Sequence, residues 1–335
     1  MQPWFDGLRR VFSAPALIAG VVVLTVAAAL PLALTLRDAL QDHLGSSLAA
    51  NQAASGVNYD WWQEFASQAT GIGTTFTPSI IGFATTLDSV SALLDRRALI
   101  TPIVAALAVY AAAWLFISGG IVDRYARGRR VGAHHFFATS GTFFFRFLRL
   151  GIVAAGAYWF LFTSVHAWLF ARWYVNVTRD VAVEQTVFAW RLLMYAIFIA
   201  SVALTTTVFD YAKIRAVVED RRSMAGALIA GIRFIVRHPG RVAGVYVLNA
   251  ALLLAVVAVW ALVAPGAGGS GASMWAGLVA SQCYILARLV VKLQGLASET
   301  ALFQRSLAHW GYTAVPAAVP PVPPIVEAGP VSASG

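Results

Sequence analysis

The residues of this chain that carry charge beside apolar runs are few, and each limits the chemistry open to it. Asp123 with Arg127, Asp210 with Arg215, and Arg288 with Lys292 fall at the inner ends of three such runs. Charges at these places either pair and reach toward water, or gather round a cavity that accepts an anion. His166 stands inside an apolar run. An ionisable group there is a functional candidate, set against a neutral ring bonded to Ser164, a tryptophan or the backbone. His134 and His135 are adjacent, so on a helix they point about 100° apart and do not suit one ion. Metal-binding helices use i, i+4 pairs such as H-E-x-x-H, which the sequence lacks. It also lacks a Walker motif, G-x-S-x-G, a dinucleotide fingerprint and a zinc pattern. No catalytic, cofactor-binding or metal residue is assigned.

Two further stretches carry arginine at helical spacing. His135, Thr139, Thr142, Arg146 and Arg149 fall on one helical face, while Phe136, Phe143, Phe144 and Phe147 take the other. The pattern predicts an interfacial helix with aromatics in lipid and arginine on anionic headgroups. Ser223 can cap a second helix that ends at His238-Pro239-Gly240. On it Arg233 and Arg237 share one face, and Met224, Leu228, Ile232 and Ile235 share another. The candidate anion or lipid contacts are Arg127, Arg146, Arg149, Arg215, Arg233, Arg237, Arg288 and Lys292. The candidate intramembrane polar residues are Asp123, His166 and Asp210.

What must position these residues is a set of membrane helices. Of 335 residues, 59% are hydrophobic and 12% charged, and mean hydropathy is +0.72. Soluble domains average about 25% charged residues, so this chain has too little polar surface to cover a water-soluble globule. Apolar runs at about 15–36, 102–122, 150–171, 187–209, 242–264 and 274–294 predict an all-α polytopic bundle of six spans. Pro31 should kink the first. A cleaved signal peptide is the rival reading of that run, but the run is longer than a signal core and ends LTLRD, which favours a span.

Between the first two spans lies an outer segment, 37–101. Leu40, Leu44 and Leu48 predict that the first helix continues past the bilayer. NYDWWQEF at 58–65 places two tryptophans where headgroups suit them. Residues 78–94, starting at Pro78, predict an amphipathic surface helix, with a re-entrant hairpin as the alternative. Asn176-Val177-Thr178 matches a glycosylation sequon by pattern alone. Arg191 lies near the outer end of the fourth run, where it can snorkel. Residues 296–310 predict one more short surface helix, and the Pro/Ala-rich tail, 311–335, a disordered end. Cys283, the single cysteine, excludes an intramolecular disulfide and should be a buried apolar residue.

Net charge is +9, from 22 Arg, 2 Lys and 15 acidic residues. Eighteen of the 24 basic residues fall in the N-terminal segment, 123–149, 210–241 and from 288 onward. Arg37, Arg96, Arg97, Arg172 and Arg179 fall on the other side. The positive-inside rule then puts both termini on the cytoplasmic side, and accounts for the charge without nucleic acid. DRYAR at 123–127 and DYAK at 210–213 echo each other, which suggests a duplicated span, surface helix and span; YILARLVV at 284–291 also echoes YAKIRAVV at 211–218, but would put Arg288 deeper in the bilayer than Arg215.

Gly119-Gly120 before Asp123, the Phe-rich FFATSGTFFFRFLRL, and Asp210-Tyr211 before RRSMAGALIAGIRF resemble an uncharacterised family of bacterial six-span membrane proteins. The pattern is also similar to the membrane portion attached to some glycerophosphodiester phosphodiesterases, over about residues 100–300. The resemblance implies a helical membrane domain and no catalytic centre. The expected function is therefore non-enzymatic: basic cytoplasmic helices contacting anionic lipid, an unidentified protein partner or a second copy. A permease for a small or lipidic anion is the alternative.

Overall fold

The computed structural model describes residues 1–45, 47–77, 83–97, 99–266 and 271–308. Among these the chain is helical and holds no strand. A short helix α1 (Gln2–Phe12) precedes α2 (Pro15–Leu44), which starts on Pro15, where a missing N–H costs nothing. α2 runs through Pro31 unbroken and ends four residues before Leu48. The outer segment then forms α3 (Ala49–Ser55), α4 (Tyr59–Gln68) and α5 (Ala84–Leu94). The expected start at Pro78 lies outside the described residues, as do the tail and part of the 265–273 loop.

α6 (Thr101–Arg127) leads into one continuous helix, Ala133–Thr178, whose parts are α7 (Ala133–Phe160), two π-type stretches (Leu161–Val165 and Trp168–Trp173) and α8 (Tyr174–Thr178). α9 (Glu184–Val218), α10 (Met224–Arg237), α11 (Pro239–Val263) and α12 (Ala272–Ala308) follow. Among the described residues, six helices are long and apolar enough to cross a membrane: α2, α6, Ala133–Thr178, α9, α11 and α12. Their flanks expose Val26, Leu30, Val109, Ile152, Trp159, Leu254 and Leu262, the arrangement expected where lipid is the solvent. This is a multi-pass membrane protein.

Two helices depart from the expected spans. No separate surface helix precedes the third span, because α7 continues from Ala133 without interruption. Its Phe143 and Phe147 enter the protein core, 7% and 0% exposed, rather than lipid. α12 likewise continues through the residues expected to form a last surface helix. The supposed duplication loses its parallel here, since only the second unit has a distinct helix, α10, between spans.

Gly119 and Gly120 bring α6 against α7. A β-carbon on Gly120 would stand 2.6 Å from the Phe136 ring and the Ser140 hydroxyl, and one on Gly119 2.9 Å from Phe143. At one end of the bundle, α1 packs along α12. Arg10 donates to the Tyr125 carbonyl and to Gln304, both at 2.8 Å, Gln304 donates to the Ala126 carbonyl, and Arg305 pairs with Asp6 at 2.6 Å. Arg146 of α7 reaches Asp220 after α9 at 2.7 Å. The ends of α6, α9 and α12, the start of α7, and α1 thus lie together. At the opposite end α4 folds against α2, with Trp61 donating to His43 at 3.0 Å. Trp61 is 8% exposed and stacks on Phe65, so it is sequestered in an aromatic cluster rather than presented to headgroups.

Candidate functional site

The basic end carries a groove, built by a reversal of the chain between α9 and α10. α9 runs to Val218; Asp220 adopts positive φ, and Ser223 accepts the Gly226 N–H at 3.2 Å to start α10. α10 then lies back on α9. Gly231 permits the approach, since a β-carbon there would be 3.2 Å from the Ala212 nitrogen. The buried face of α10 is Met224, Ala227, Ala230, Gly231 and Phe234. The expected stripe is corrected: Ile232 is 43% exposed and points outward with Ile229 and Val236.

The groove holds about 870 Å³ between the end of α9, α10 and the end of α12. Its floor includes Ala230, Phe234, Phe303 and Leu307, the exposed Ile229 stands at its edge, and its polar lining includes Arg215, Arg221, Arg233, Arg237, His238 and Glu219. Arg215 donates to Glu219 and to the Ala230 carbonyl, both at 2.7 Å, and lies over the Phe303 ring. Arg221 donates to the same Glu219. One carboxylate is therefore shared by two guanidiniums, with Arg233 and Arg237 beside them. Planar guanidinium donors above an apolar floor suit a phosphate or carboxylate joined to an apolar body.

A buried charge cluster lies one helical turn deeper. Lys213 donates to Asp210 at 2.8 Å, both side chains under a fifth exposed. Glu299 of α12, 6% exposed, is within electrostatic range of both, and its Oε2 has no hydrogen-bond partner. The fully buried Tyr211 hydroxyl is also unpartnered. A buried unpaired acceptor costs about 1–3 kcal/mol, and more when charged. Lys292 sits with its ammonium 3.6 Å from the Trp114 ring and 5.2 Å from Tyr110. Lys213 and Lys292 are the two lysines of an arginine-rich chain, and each feels the other's charge.

The remaining predicted residues disperse. Of the eight anion-contact candidates, the groove gathers Arg215, Arg233 and Arg237. Arg127 pairs with Asp123 at 2.8 Å, and His135 joins them at 3.1 Å. Arg146 is held by Asp220 and the Phe143 ring, and Arg149 is exposed. Arg288 lies over Tyr284, not in the groove. Asp210 bonds to Lys213 rather than to Arg215, whose partner is Glu219.

His166, between the two π-type stretches, bonds to the Leu94 carbonyl at 2.7 Å and stacks on Phe170. The backbone, across 72 residues, is the partner that a neutral ring needs. Cys283 is exposed beside Val256 and Trp260, not buried, because it faces the apolar exterior of the spans. Glu219, Arg221, His238 and Glu299 went unassigned in the sequence. The available signal for Glu299 was that it is the one carboxylate in the stretch 272–308. Among the described residues, no group of three or more His, Cys, Asp or Glu side chains comes together to hold a metal.

An all-α, multi-pass membrane bundle is the class of protein that this fold and site define. No family model, curated protein or solved structure matches the chain.

Proposed function

We propose that this protein binds anionic phospholipid headgroups through the α9–α10–α12 groove, at the cytoplasmic face of a bacterial inner membrane, without catalysing a reaction. The observation that carries the reading is the lining: four arginines and His238 against the single carboxylate of Glu219, over an apolar floor that can take the first carbons of an acyl chain. The outward Ile229, Ile232 and Val236 support it, because they would dip α10 into the headgroup layer and set the groove mouth at phosphate depth. The eighteen basic residues in segments reaching this end support a cytoplasmic orientation with both termini inside.

Full-length protein in nanodiscs of mixed phosphatidylglycerol and phosphatidylcholine tests it by native mass spectrometry. Phosphatidylglycerol should be retained preferentially, and retention should weaken with salt. Arg233→Gln and Arg237→Gln should each lower it about five-fold, the effect of one basic residue near an anionic surface. Retention indifferent to salt and to both substitutions overturns the proposal and leaves the groove to a protein partner or second copy. A permease for a small or lipidic anion is the second reading, favoured by the buried Asp210, Lys213 and Glu299 beneath the groove. It requires flux in proteoliposomes that the same substitutions abolish.

A further inference from the structure

Beneath the groove two buried oxygens on facing helices have no partner. One is Oε2 of Glu299 on α12, and the other is the hydroxyl of Tyr211 on α9. The two side chains are close enough to interact electrostatically. One is an acceptor and the other carries a donor. Among the described residues the other buried carboxylate, Asp123, is bonded to Arg127 and His135, whereas Glu299 has an unsatisfied oxygen and no bonded cation beside the Asp210–Lys213 pair.

The groove ends one turn from this pair. Phe303 lies four residues after Glu299 on α12, and Arg215 four residues after Tyr211 on α9. The Phe234 ring fills the step between, 4.9 Å from the Tyr211 ring and 5.2 Å from the Phe303 ring. The Phe234 and Phe303 rings thus stand between the groove and the turn of α9 and α12 that carries Tyr211 and Glu299.

We infer that Glu299 is a proton-exchange site, loaded from the groove when Phe234 and Phe303 part. The charges around it are suited to that step. From α9 it faces Asp210 and Lys213, which hold each other at 2.8 Å, and the Tyr211 hydroxyl. From α11 it faces Tyr246, and Tyr158 of α7 lies beyond, near Lys213. Lys292, on the same helix as Glu299, is occupied by the Trp114 and Tyr110 rings. With Lys213 committed to Asp210, Glu299 is the carboxylate left without a bonded cation. A proton from groove water adds to Oε2, making a neutral carboxyl whose O–H donates to the Tyr211 oxygen. The Glu299 charge is removed, and the Asp210–Lys213 pair is unchanged. Release returns the proton to water and restores the carboxylate. The inference holds whichever anion occupies the groove, so its failure and that of the lipid reading are separate results.

Infrared spectroscopy of the full-length protein in nanodiscs, titrated from alkaline to acid buffer, tests the step. One carbonyl-stretch band of a protonated, buried carboxyl should appear, shift in heavy water and be lost in Glu299→Gln. Tyr211→Phe should keep the band and move its frequency, because the acceptor of the carboxyl O–H is gone. Glu299→Asp, should Glu299→Gln fold poorly, should displace the band. A band that Tyr211→Phe, Glu299→Gln and Glu299→Asp all leave in place overturns the assignment. So does its absence across the whole range, which would mean that Glu299 is a permanent ion-pair partner of Lys213.

Discussion

At the scale of single residues, the end of the molecule opposite the groove is tied by a carboxylate whose setting is legible in physical terms. Asp95, after α5, accepts the Tyr195 hydroxyl of α9 at 2.6 Å and the Ser91 hydroxyl at 2.9 Å, with Arg191 at 3.9 Å. The Tyr195 bond first, and the Ser91 bond second, hold Asp95 below the usual carboxylate range. Its contribution to attaching α5 is then complete above that range and is lost as pH falls through the lowered folded-state value. Tyr195→Phe should reduce hydrogen-exchange protection of residues 84–97 about two- to five-fold at neutral pH, the scale of an exposed pair, and flatten its acid dependence. Unchanged protection would show that the tie carries no load. Arg191, expected to snorkel, is instead spent on Tyr195 and Asp95.

The sequence exposed His166 and Asp210 as polar groups in an apolar setting, but not their partners, which come from helices distant in the chain. It hid Glu299 for a different reason. Gln294, Ser298, Glu299 and Thr300 resemble the polar end of a span, and all four are buried against protein. A polar residue implies either water or a polar neighbour, and composition does not tell them apart.

At the scale of elements, the apolar windows located the six spans and misjudged their lengths. Hydropathy reports the hydrocarbon layer, about 20 residues deep, whereas backbone hydrogen bonding continues until a residue stops it. Nothing between Phe143 and Leu150 interrupts a helix, so the 46-residue Ala133–Thr178 extends to about 69 Å. The α10 stripe failed because that helix has two apolar faces, and only contact with α9 decides which is buried. Gly119-Gly120 was visible as a pair, but its role needs the partner surface of α7. Gly120→Ala should force Phe136 and Ser140 aside and cost about 1–3 kcal/mol, read as a lower Tm in detergent. Gly141→Ala, where the added carbon meets open space, should leave Tm unchanged or higher. Equal effects at the two sites would contradict close packing of α6 on α7.

At the scale of the molecule, the charge asymmetry read from the sequence has a structural counterpart, since the arginine-rich segments converge on the end that bears the groove. Orientation is testable with the single cysteine removed. In a Cys283→Ser background, an impermeant maleimide on intact cells should label Asp180→Cys and reach Arg222→Cys only after permeabilisation. The opposite pattern would invert the threading and with it the headgroup reading. The clasp of α1 on α12 has a consequence for biogenesis. The Trp4 carbonyl accepts from Gln294, 290 residues away, so α1 docks on a helix that is made after all five other spans. Until translation reaches α12, α1 lacks its main packing surface and can hold only to the Tyr125 carbonyl of α6 and Asn249 of α11. Closure of the basic end thereby waits on α12, and a nascent chain stalled before residue 294 would carry an unlatched bundle.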